Sequence, residues 1–254
     1  MKFIVLGSGT TVPHHARSSS GYWLEISGGT VLLDCSAPAI YRATQEGLEW
    51  WNLDAIWISH FHMDHVGGLA PFLAGTKHAP QMKERAQPLR IFGGPGLKGL
   101  VKAFDAAYNY KLFEQPFPLE LIEVGNLEKF EIAEGVEAVA FPTPHTPESH
   151  AIRVRDGGKT LVYTADTGYS KELASFAAGV DLFVIESSYP ANKTQEKHLE
   201  LKEAMEIIRL AAPGKAVLTH LYQVWDEVDG EAEIAKFEPG CEVILAYDGL
   251  RLEV

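Results

Sequence analysis

The chain has 254 residues, 46% of them hydrophobic, and a formal charge of −12 from 34 Asp and Glu against 22 Lys and Arg. Such a chain can bury one large core, so a single domain over residues 1–254 is expected. The acidic balance argues against a partner as long and anionic as nucleic acid, which is gripped by basic surface, and no apolar run is long enough to span a bilayer.

Phe3-Ile4-Val5-Leu6 is too short for a signal-peptide core. Cys35 and Cys241 lack the CxxC spacing of a zinc ribbon and offer no disulfide framework, so a cytoplasmic protein is expected. Residues 2–6 read as a strand entering Gly7-Ser8-Gly9-Thr10, which lacks the GxGxxG spacing of a phosphate cradle and reads as a tight turn. Arg17, on the loop that follows His14 and His15, reads as solvated, with an anionic substrate as the alternative partner. Tyr22 to Ile26 and Thr30 to Leu33, split by Gly28-Gly29, predict a hairpin. Asp34 closes it, either as the carboxylate that receives a metal-binding imidazole's second N–H or as a helix cap.

A helix over 37–47 and a strand over 54–58 lead to Ser59-His60-Phe61-His62-Met63-Asp64-His65-Val66-Gly67-Gly68. Three imidazoles and a carboxylate fall within six positions, a density that solvated loops do not show. In extended backbone His60 and His62 point the same way and can converge on one ion, while Asp64 and His65, past a turn, face a neighbouring position. These are two half-built metal sites that the rest of the chain must complete.

A helix is expected from Gly67 towards Leu73, and residues 77–90, with Lys77, Lys83, Arg85 and Arg90, read as a solvated basic face. A strand at 89–92, a Gly93-Gly94-Pro95-Gly96 turn and a helix over 97–107 form one unit, and 119–141 is all strand, broken near Gly125 and Gly135. Pro144 and Pro147 hold His145 in a rigid loop suited to a ligand, whereas His150 reads as packed. Asp166, at the end of the strand 159–164 and before Thr167-Gly168, is placed to bridge two ions, with capping of the next helix as the rival role. After the apolar strand 180–185 and Glu186, His198 stands near the start of a helix over 199–211, where the dipole disfavours its charged form. Thr219-His220 ends the strand 215–218 much as Ser59-His60 ends the earlier one, and a short helix near 229–237 and strands at 242–246 and 250–254 complete the chain.

The series from the His60 motif through His145, Asp166 and His220 resembles the metallo-β-lactamase superfamily over nearly the whole chain. The resemblance implies an α/β fold, an αβ/βα sandwich of two mixed sheets with helices outside. It implies two divalent metal ions, one on His60, His62 and His145, the other on Asp64, His65 and His220, with Asp166 bridging. Pro144-His145-Thr146-Pro147-Glu148-Ser149, Ala165-Asp166-Thr167 and the segment from Glu186 to His198-Leu199 are similar to motifs of the ribonuclease Z branch, whose corresponding His is catalytic. That branch carries a tRNA-gripping arm between the third-motif His and the bridging Asp. Here His145 and Asp166 are 21 positions apart, room for a hairpin only.

An oxygen and nitrogen donor set without thiolate suits Zn²⁺ and admits Mn²⁺ or Fe²⁺. The expected reaction is hydrolysis of a small anionic phosphodiester by a metal-bridging hydroxide, with Asp64 orienting the nucleophile and His198 protonating the leaving alkoxide. Alternatives of the same fold are a carboxylic ester, thioester or lactone hydrolase, a tRNA 3′-processing endoribonuclease, and a scaffold without catalysis. Members of the family also pair into homodimers.

Overall fold

In the computed structural model, which describes residues 1–254, the apolar runs punctuated by glycine become strands. The first sheet contains β1 (Lys2–Gly7), β2 (Gly21–Ile26), β3 (Gly29–Leu33), β4 (Ala55–Ile58), β5 (Leu89–Gly93) and β6 (Leu119–Glu123). The second contains β7 (Lys129–Ala133), β8 (Val136–Pro142), β9 (His150–Asp156), β10 (Lys159–Tyr163), β11 (Leu182–Glu186), β12 (Lys215–Thr219) and β13 (Glu242–Leu245). The last strand, β14 (Arg251–Glu253), returns to the first sheet and pairs antiparallel with β1.

The two sheets are built alike. β1 to β3 form an antiparallel meander that continues in parallel through β4, β5 and β6. β7 to β10 form another, continued in parallel through β11, β12 and β13. The parallel strands β4 and β11 are buried at every residue, because crossover helices cover one face and the opposite sheet the other.

Those helices are α1 (Ala39–Gln45), α2 (Met63–Val66), α3 (Leu69–Thr76), α4 (Pro80–Lys83) and α5 (Leu97–Tyr108) on the first sheet, with α6 (Lys171–Phe176), α7 (Leu201–Ala211) and α8 (Gly230–Ala235) on the second. Leu201, Ala204, Met205, Ile208 and Ala211 give α7 its buried face. Between the sheets, Trp57 of β4 stacks on Phe130 of β7 with centroids 5.7 Å apart, and Tyr22 of β2 meets Tyr163 of β10 at 4.8 Å. The architecture is the expected αβ/βα sandwich. No helix is long and apolar enough to cross a membrane.

Local chemistry shifts some of the expected boundaries. α7 begins at Leu201 rather than 199, because Glu200 and Glu203 close a reciprocal capping box there. The stretch 77–90 is more than a solvated face: Pro80 opens α4, and the Arg85 guanidinium donates to the carbonyls of Trp51, Gln87 and Pro88. Between His145 and Asp166 lies a hairpin of β9 and β10, turned by Gly157 and Gly158, both at positive φ.

Candidate metal centre

The carboxyl ends of strands from both sheets deliver the titratable side chains to one edge of the sandwich. β4 delivers His60, β8 leads to His145, β10 to Asp166, β11 ends in Glu186 and β12 delivers His220. The chain turns sharply after β10, after β12 and after β3, where non-glycine residues adopt left-handed φ: Ala165 at 53°, His220 at 58° and Asp34 at 61°. Such conformations cost roughly 1–3 kcal/mol each and persist where surrounding structure holds them. Asp64 and His65 lie on α2, one helical turn rather than a simple loop turn. Gly68 lets the chain after that turn pack on the segment that follows β3, since a Cβ there would stand 2.2 Å from the Ser36 carbonyl oxygen.

Seven predicted side chains are brought together. Donor atoms of His60, His62, His145 and Asp166 form one group, and those of Asp64, His65 and His220 another, all within 4.8 Å of one another in each. Asp166 joins them: Oδ2 is 3.7 Å from both His60 Nε2 and His145 Nε2, while Oδ1 is 3.2 Å from His65 Nε2 and 3.4 Å from His220 Nε2. Asp64 Oδ2 is 3.5 Å from His220 Nε2 and 3.8 Å from His65 Nε2. His62, alone among the seven, is exposed and marks the mouth.

The ring orientations are fixed from behind. His65 Nδ1–H donates to Asp34 at 2.7 Å, and His60 Nδ1–H to Ser59 Oγ at 3.0 Å, whose own hydroxyl donates to Asp34 at 2.9 Å. His220 Nδ1–H donates to Ser188 Oγ at 3.0 Å, a hydroxyl that donates in turn to Glu186 at 2.6 Å. His145 Nδ1–H donates to the Lys197 carbonyl at 3.0 Å. With Nδ1 so engaged, all four rings present a lone pair at Nε2. Asp34 also accepts from Tyr163 Oη and the Ser59 amide, so it acts on the cluster and caps no helix. Asp166 caps none either, since Ser170 supplies the cap of α6.

The electrostatics fit a cation. Burial opposes ionisation of Asp166, but positive charge on the side of His220 and His65 holds its carboxyl well below the usual range, and an ion on their lone pairs would supply that charge. Burial keeps His60 well below the usual imidazole range, helped by the neighbouring His65. His60 Nε2, His65 Nε2 and Asp166 Oδ1 are buried without any hydrogen-bond partner, an arrangement that an ion would satisfy. His62 Nδ1 and His145 Nε2 are 3.1 Å apart, close to the separation of about 3.3 Å between nitrogens on one tetrahedral zinc.

His198 borders the cluster, its Nδ1 4.0 Å from Asp166 Oδ2. Here the structure corrects the expectation drawn from the helix dipole. Burial pulls the imidazole down, but Glu186, 3.1 Å from Nδ1, outweighs it and raises the ring to about 9. Arg17 is not a freely solvated loop residue: it pairs with Asp226 at 2.6 Å, and its side chain is only 14% exposed. His150 is packed as expected, held by Asn126 and by the Glu148 carbonyl. Ser59 and Ser188 carry no local signal beyond their place just after β4 and β11, and the Lys197 carbonyl, in the loop before α7, carries none.

The family model described as "Metallo-beta-lactamase superfamily" matches residues 16–205. The chain belongs to the metallo-β-lactamase superfamily. Within that superfamily it is 26% identical to a ribonuclease Z of Mycobacterium marinum, over all of this chain and 99% of the relative. It is also 26% identical to YhfI of Bacillus subtilis, over 92% of this chain and 93% of the other. The crystal structure of that metallo-β-lactamase fold protein superposes with a TM-score of 0.82, covering 100% of this chain and 98% of YhfI. The short form of human tRNase Z superposes with a TM-score of 0.78 at 20% identity, covering 100% and 99%.

Proposed function

We propose that the chain is a dinuclear metal-dependent phosphodiesterase that acts on a small anionic ester and works as one domain over residues 1–254. The pairing of β14 with β1 and the core shared by both sheets support the single domain. Two unpaired cysteines fit a reducing compartment such as the cytoplasm. His60, His62 and His145 would hold one ion and Asp64, His65 and His220 the other, with Asp166 common to both; this donor set suits Zn²⁺ and admits Mn²⁺ or Fe²⁺. When bound, such a pair supplies a water of lowered pKa and positive charge for the phosphoryl oxygens.

Protein groups do the rest. Asp64 accepts a hydrogen bond from the attacking water and orients it. His198, held at Nδ1 by Glu186, donates its Nε2 proton to the departing oxygen. The single observation that carries the phosphodiester reading is this buried histidine, braced by a carboxylate beside the cluster. An alkoxide leaving phosphorus needs such an acid more than a thiolate or ring alkoxide leaving an acyl carbon. A second reading, cleavage of tRNA precursors, is favoured by the names of the relatives. The short Gly157-Gly158 hairpin and the −12 charge argue against it.

The test is a hydrolysis panel with metal-reconstituted protein: a bis-aryl phosphodiester, cyclic nucleotides, a cyclic ribose phosphate, a thioester, a lactone and a pre-tRNA. Small phosphodiesters should turn over fastest. A faster thioester or lactone, or efficient cutting of pre-tRNA, overturns the reading. In the same protein Asp34→Asn should lower metal affinity about 10- to 100-fold, measured by competition with a chelating dye, because the amide no longer receives the His65 and Tyr163 protons as a carboxylate does.

A further inference from the structure

Two residues beyond His220, Tyr222 has no part in the reaction just described. Its ring stacks on Tyr189, centroids 5.0 Å apart and 10° from parallel. It stands edge-on to His198 at 6.3 Å and to His220 at 6.1 Å. Gln195 Nε2 donates to Tyr189 Oη at 3.2 Å and to Tyr222 Oη at 3.5 Å, and Thr194 Oγ1 donates to Tyr189 Oη at 3.2 Å. The Tyr222 amide donates to the Ser188 carbonyl at 3.2 Å, next to the hydroxyl that holds His220.

An aromatic pair that served only the core would bury both rings. Here Tyr189 is buried and Tyr222 is only half-buried. Tyr189 is the backing, therefore, and Tyr222 the ring presented beside the cluster. A braced ring loses little conformational freedom when a flat partner settles on it. Stacking also gives affinity without a basic track, which suits a chain of net charge −12.

We propose that Tyr222, braced by Tyr189, is the specificity-determining residue of this site and selects phosphodiesters whose non-leaving arm carries a flat aromatic ring, such as a nucleoside base. The proposal rests on the phosphodiesterase reading above. Its test compares two esters with the same leaving group, thymidine 5′-p-nitrophenyl phosphate and methyl p-nitrophenyl phosphate. Wild type should favour the thymidine ester in kcat/KM, and Tyr222→Ala should reduce that preference about 10- to 100-fold, the range expected for losing one base-on-aromatic stack. Tyr222→Phe, which keeps the ring, should restore it. Calorimetric binding of thymidine 5′-monophosphate relative to inorganic phosphate should follow the same order, as a readout independent of turnover, with melting curves showing that each variant is folded. An unchanged preference in Tyr222→Ala overturns the role of Tyr222 while the phosphodiesterase reading stands. No turnover of either ester overturns that reading, and the proposal with it.

Discussion

Chelation of divalent ions is expected to abolish hydrolysis and lower the melting temperature by about 8–16 °C for each ion removed, since an ion at about 1,000 times its dissociation constant contributes roughly 4 kcal/mol and each kcal/mol shifts a chain of this size by about 2–4 °C. The reason lies in the convergence of donors. Four imidazoles have committed Nδ1–H to partners behind them and turn lone pairs inward, where two carboxylates already stand. Without a cation these groups repel, and three of their buried atoms lack partners. Asp166→Asn should weaken both ion positions together, because Oδ1 and Oδ2 face different groups of histidines. Elemental analysis and melting curves before and after chelation check this. A protein without stoichiometric metal after reconstitution, indifferent to chelator in stability and turnover, would instead be a scaffold.

What sequence could and could not foresee here follows from range. The His60 to His65 run is legible because its spacing is local: extended backbone aligns His60 with His62, and the next turn carries Asp64 and His65. His145, Asp166 and His220 are legible as single polar residues at the ends of apolar strands, and the αβ/βα architecture is legible through the family resemblance that those residues carry. Residues whose role depends on tertiary partners were harder to read. Asp34 carried two readings until the sheets placed it 2.7 Å from His65. Arg17 and Asp226 are 209 positions apart, so nothing local marks them as a pair. The charge state of His198 is not legible locally, because the dipole of α7 is a local feature whereas Glu186 arrives from the end of β11.

His198→Ala should reduce turnover of a dialkyl phosphodiester about 10²- to 10⁴-fold, the usual contribution of a positioned general acid. The loss should be far smaller for a p-nitrophenyl ester, whose leaving group departs without a proton. Glu186 makes the contrast sharper. Its Oε1 accepts from His198 Nδ1 and from the Thr167 amide, and its Oε2 accepts from Ser188 and from the Leu199 amide, so one buried carboxylate fixes both His198 and the support of His220. Glu186→Gln should therefore lower turnover of both esters while keeping part of the difference between them. Metal content measured in each variant separates loss of the acid from loss of the ions. If His198→Ala loses equally on alkyl and aryl leaving groups at full metal occupancy, His198 does not protonate the leaving oxygen, and the choice of phosphodiester over acyl ester loses its support.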